Sequence, residues 1–146
     1  MVFIKDEDSI YDAPLELVWQ FFGSGPTHSD AHHHRNARRR KVNGDVGIYS
    51  WEQDFEGKPT RFSMKWHAYY PMGFGYQVLE GPFKGSNFFL FYERIGKSKT
   101  KVNVIGEFTS KTIPERKLKY SVLRFFEKEF EEDVDGIRVF QEESEF

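Results

Sequence analysis

The sequence predicts an α+β fold: a seven-stranded, curved antiparallel sheet wrapped round a long C-terminal helix, with two short helices after the first strand. Three observations predict it. From Ala37 to Lys111 apolar and polar residues alternate with period two, in runs of strand length separated by turn residues. From about Pro114 to Phe140 the apolar period becomes helical. The connections between the period-two runs are too short for the crossovers that parallel strands require, so those strands form an antiparallel meander.

The elements follow in order. Val2 to Tyr11 begins with alternation and β-branched or aromatic residues, and reads as a strand. Asp12-Ala13-Pro14 opens a short helix over Leu15 to Phe22, with Asp12 or Ala13 near the N-cap and Pro14 at the first helical position. Leu15, Val18, Trp19 and Phe22 share the spacing of one buried face, and Gly23-Ser24-Gly25-Pro26 ends the helix. Thr27 to Asn36 is polar and His-rich, a second short helix or a loop. Six strands follow. The clearest is Arg61 to Tyr70, with Phe62, Met64, Trp66, Ala68 and Tyr70 on one face. Thr112 and Glu115 have the spacing of a capping box before the last helix. There Leu118, Val122, Phe125, Phe126, Phe130, Val134 and Ile137 form an apolar stripe, with Glu127, Lys128, Glu131, Glu132 and Asp135 mostly opposite. Gly136 is expected to bend this helix or end it early.

Composition narrows the function classes. The 146 residues suit a single domain over 1–146. With 21 basic and 23 acidic residues, the net charge of −2 offers no field for nucleic acid. The absence of Cys excludes disulfides, a thiolate nucleophile and Cys-based metal sites. No basic-then-apolar leader begins the chain and no apolar run approaches the roughly 20 residues of a membrane span, so neither a signal peptide nor integral membrane association is expected, and the location expected by exclusion is cytoplasmic. The 16 Phe, 7 Tyr and 3 Trp supply nearly half the apolar residues. They make either an aromatic-rich core or a cavity walled by rings, which suits flat apolar ligands.

The order of elements, together with the segment Ile10-Tyr11-Asp12-Ala13-Pro14-Leu15-Glu16-Leu17-Val18-Trp19-Gln20-Phe21-Phe22, resembles the START-like superfamily. That group holds the birch-pollen-allergen, polyketide cyclase and coenzyme-Q-binding families and has the helix-grip fold. The resemblance implies a hydrophobic cavity between sheet and long helix, and binding or transfer of a hydrophobic small molecule: a lipid, sterol, polyketide, quinone or aromatic compound. It supplies no shared catalytic triad and implies no cofactor.

The rings expected between sheet and helix are Trp51, Phe62, Trp66, Tyr76, Phe89, Phe91, Phe126 and Phe130, with Met64 among them. Tyr70, Tyr76 and His32 are the polar groups expected to orient a ligand. If Phe89 and Phe91 point inward, so does Glu93, whose carboxyl would then be desolvated as a general acid or base requires. His28 and His32 stand at i and i+4, as metal-binding pairs do, and Asp30 would add a carboxylate. Further ligands and a second shell are not visible, so no metal is expected, and the stretch reads as a solvated turn or as the cavity mouth. Arg38-Arg39-Arg40-Lys41 reads as a charged edge strand or as an anion contact at the mouth. Three functions stay open: a carrier of a hydrophobic small molecule, a cyclase- or dehydratase-like enzyme, and an interaction module of the chaperone-activator type.

Overall fold

The computed structural model describes residues 1–144. The chain runs β1 (Val2–Tyr11), α1 (Leu15–Phe22), α2 (Pro26–Ala31), β2 (Arg35–Asn43), β3 (Val46–Phe55), β4 (Lys58–Tyr69), β5 (Gly73–Glu80), β6 (Asn87–Ile95), β7 (Lys99–Phe108) and α3 (Glu115–Ser144). The seven strands form one antiparallel sheet in the order β1-β7-β6-β5-β4-β3-β2. From β2 to β7 each strand pairs with its neighbour in sequence, which is the expected meander. The exception is β1, which crosses to pair with β7. Turn chemistry fixes the hairpins. Phe55 pairs with Lys58 across Glu56 and Gly57, both at positive φ (49° and 81°), the combination a two-residue type I′ turn demands. Register shifts in β1, in β2 and between β4 and β5 mark irregularities of the kind that bend strands and let the sheet curl.

Two buried clusters hold sheet and helices together. One gathers Trp51, Phe62, Val78, Phe83, Phe108, Leu118, Val122 and Phe125. The other packs α1, through Leu15, Val18 and Phe21, against Tyr11, Tyr92, Val102 and Ile137. No helix among the described residues is long and apolar enough to cross a membrane.

Local details differ from expectation in three places. Pro14 is the N-cap of α1, extended at φ −66° and ψ 154°, and its carbonyl accepts from Leu17 N–H and Val18 N–H. Thr112 lies outside α3. Ser110 Oγ instead accepts from the N–H groups of Thr112 and Ile113 and shapes the entry. Gly136 neither bends nor ends α3, which continues to Ser144. It allows a close approach: a Cβ there would lie 2.6 Å from Ala31 Cβ and 2.7 Å from Phe21 Cζ. Gly136→Ala therefore sets a helix-propensity gain of up to about 1 kcal/mol against overpacking of about 1–3 kcal/mol. Overpacking is expected to win, with a lower midpoint of urea denaturation.

Candidate functional site

A cavity of about 720 Å³ lies between the sheet and α3. Strand periodicity builds one wall, where Trp51, Met64, Trp66, Ala68, Phe74, Tyr76, Phe88 and Leu90 point inward. Helix α3 supplies Leu123, Phe125, Phe126 and Phe130, and α1 supplies Trp19 and Phe22. Rings stack continuously along part of the wall. Trp51 lies on Tyr49 at 4.8 Å and on His34 at 4.7 Å between centroids.

Of the residues expected to line the cavity, Trp51, Met64, Trp66, Tyr76, Phe126, Phe130 and His32 do so. Phe62 points inward but is fully buried behind the wall, stacked on Trp51 and on Phe125. Four others lie outside. Phe89, Phe91 and Glu93 sit on the outer face of β6, because Phe88, Leu90 and Tyr92 take the inner positions. Phe89 and Phe91 stack on each other there, opposite Gly75 and Gly73 of β5. Glu93 is exposed and has no desolvated carboxyl to offer. Tyr70 lies beyond the end of β4, where alternation no longer governs direction. It is 65% exposed and meets Trp19 edge-on at the surface.

One end of the cavity is polar. Helix α2 and the turn after it bring three histidines against α3. His32 is buried, its Nε2 2.6 Å from Asp133 Oδ1, its Nδ1 3.0 Å from both Glu132 Oε1 and Glu129 Oε2. Tyr11 Oη donates to Asp133 Oδ2 at 3.1 Å. Gln53 donates to Glu129 Oε1 at 3.3 Å and in turn accepts from Trp51 Nε1 at 2.7 Å. His34 Nδ1 and the Tyr49 hydroxyl lie 2.6 Å apart. His34 Nε2 is buried without a hydrogen-bond partner. Arg39 donates to Ser29 Oγ and stacks over the Tyr49 ring at 4.6 Å. The rest of the basic run on β2 is exposed at the sheet edge, with Arg40 and Lys41 reaching the rim of the cavity.

The charges of this cluster follow from burial and neighbours. Burial disfavours the imidazolium of His32, but the charge of Asp133 and hydrogen bonds to Asp133, Glu129 and Glu132 outweigh it and raise the pKa to about 12. His28 is held low by burial and then by the charge on His32. Burial likewise brings His34 down to about 4. Burial pushes Glu129 up, yet the hydrogen bond and charge of His32 prevail and lower it. For Asp133 burial prevails over His32, and the carboxyl is raised. The cluster thus holds one charged imidazole between two neutral ones.

Glu129 and Asp133 were missed by the sequence reading, although a signal for them exists. The inner face of α3 runs 118, 122, 125, 129, 133, 136, 137, so two acids occupy positions where the stripe calls for apolar side chains. Val134, expected on that face, is 41% exposed.

No protein-family model matches the sequence, and no curated protein matches it. Solved structures do. An aromatase/cyclase from a Streptomyces species aligns over 93% of this chain and 92% of its own, with a TM-score of 0.72 and 12% identity. A START superfamily protein from Mycobacterium smegmatis gives 0.71 and 12% over 93% and 97%. Ara h 8.0201 gives 0.71 and 14% over 94% and 98%. At these identities the likeness is one of fold.

Proposed function

Starting from the START-like, helix-grip fold that the chain shares with those structures, we propose that it binds a hydrophobic small molecule, flat and with at least one hydrogen-bonding group. The observation that carries this reading is the ring-lined cavity of about 720 Å³. It falls within the roughly 300–1,000 Å³ usual for small-molecule sites. Aromatic walls favour planar ligands, and the polar end, lined by His28, His32, His34, Glu129 and Asp133, suits a ligand that carries a hydrogen-bonding group. Polyketides, quinones and other aromatic compounds meet this description better than a plain acyl chain. A fully packed interior, which the interaction-module reading requires, is not what this cavity supports.

A second reading, an enzyme of the cyclase or dehydratase type, has a specific observation in its favour. On the cavity wall Asp133 bridges Tyr11 and His32, one carboxylate oxygen to each, a chain along which a proton can be moved. Glu93 plays no part in it. Turnover of an aromatic polyketone substrate, lost in Tyr11→Phe, separates this reading from simple carriage.

Native mass spectrometry of freshly purified protein, against the same sample denatured and extracted, tests the first reading directly. An apolar compound is expected in the native spectrum and absent after extraction. Leu123→Trp, which fills the cavity from α3, is expected to weaken binding of an apolar fluorophore at least about tenfold, near 1.4 kcal/mol. Unchanged fluorophore affinity in Leu123→Trp would sink the cavity as the binding site.

A further inference from the structure

The histidine–carboxylate cluster has a geometry that ligand binding alone does not explain. The rings of His28 and His32 cross at 88°, with centroids 4.9 Å apart. An imidazole lone pair lies in the plane of its ring, so crossed planes let two nitrogens aim at one point. Both Nε2 atoms converge on the same atom, Asp133 Oδ1, at 3.7 Å and 2.6 Å. A tetrahedral ion with bonds of about 2.0–2.2 Å holds its ligand atoms roughly 3.3 Å apart, between those two values.

We propose that His28, His32 and Asp133 form a site for one divalent ion of the zinc class on the wall of the cavity. The ligand set of two imidazoles and one carboxylate suits zinc and its first-row neighbours and not magnesium or calcium. Outer partners of the kind such ligands need are in place for two of the three, His32 and Asp133. His32 Nδ1 faces Glu132 and Glu129 at 3.0 Å each, which fixes the ring with Nε2 toward the site. Tyr11 holds the other oxygen of Asp133. Three acidic side chains gather round His32, and a divalent ion supplies positive charge they can share. All three ligands line the cavity, so the open position of a three-ligand site faces it. A neighbouring group, His32, His34 and Glu129, is as compact. Its two rings, however, stack face to face at 20° with centroids 5.2 Å apart, so their in-plane lone pairs run side by side instead of converging.

The site goes beyond the ligand reading, since an apolar molecule can occupy the cavity with or without an ion. The test is titration of chelator-stripped, full-length protein with Co2+ as the spectroscopic probe, followed by displacement with Zn2+. One Co2+ per chain is expected, with visible ligand-field bands, displaced by Zn2+ and unaffected by Mg2+. His28→Gln is expected to weaken binding at least about 100-fold, more than the roughly 10–100-fold that loss of an outer partner, as in Glu132→Gln, produces. His33→Ala, which removes an exposed imidazole, is expected to change nothing. Asp133→Asn should match His28→Gln; if circular dichroism shows it unfolded, His28→Gln decides alone. No binding at micromolar Co2+, or binding indifferent to His28→Gln, overturns the proposal. Fluorophore binding by the stripped protein reports on the cavity separately.

Discussion

In chelator-stripped protein, His32→Ala is expected to cost about 3–5 kcal/mol of stability at neutral pH, the range for removing one partner of a buried ion pair. The side chain is buried and its ring is the counter-charge for Glu129, Glu132 and Asp133. Without it, the carboxylates of Glu129 and Asp133 remain in a largely buried site without the charge that faced them. The sign with pH follows. The raised His32 contributes stability below the ordinary histidine range, lost only as pH rises through about 12. The lowered Glu129 contributes above the ordinary carboxylate range, and that contribution is lost as pH falls. The His32→Ala penalty should therefore shrink in acid, where the stranded carboxylates take up protons. Adding Asp133→Asn should return at least about 1 kcal/mol, a coupling within the range for contacting groups. Urea denaturation of the single and double variants at pH 7 and pH 4 checks all three statements. A penalty equal at both pH values would mean that packing, not charge, is what His32 contributes.

The second large effect belongs to Phe62. Its replacement by Ala is expected to cost about 3–5 kcal/mol. The ring is fully buried, stacked on Trp51 at 9° and on Phe125 at 23°, with Phe55 on its edge. These neighbours belong to sheet and helix alike and cannot collapse together without moving α3. Phe89→Ala, on the opposite face of the sheet, should cost less than about 1 kcal/mol, because that ring is already 43% exposed. Denaturation midpoints of the two variants, measured side by side, give the comparison. Similar losses would show that the outer stack of Phe89 and Phe91 carries more of the fold than its exposure implies.

These two phenylalanines also show where sequence reading works and where it stops. In β4, apolar residues alternate with polar ones, and the face was legible: Phe62, Met64, Trp66 and Ala68 all point inward. In β6, Phe88 to Tyr92 is apolar at every position. Period two then carries no information about direction, and a shift of one residue exchanges the whole set. The deciding facts were the glycines of β5 beneath Phe89 and Phe91, which only the pairing register reveals. The order of elements, the long helix and the charged edge strand could all be read locally. The polar cluster could not, because its carboxylates lie about a hundred residues from its histidines. Asp30, the acid nearest in sequence, is exposed, and Asp133 stands in the place considered for it.

The crossing of β1 to β7 has a kinetic consequence. Strands β2 to β7 can zip up hairpin by hairpin, each closing a short loop. The pairing of Val2 with Phe108 closes a loop of most of the chain. Loop-closure entropy and the slow folding of topologies rich in distant contacts place that step late. Pulse-labelled hydrogen exchange should find the amides of β3 to β6 protected first and those of β1 last. Since β1 carries Tyr11, the Tyr11 contact to Asp133 would then be completed only in this last phase.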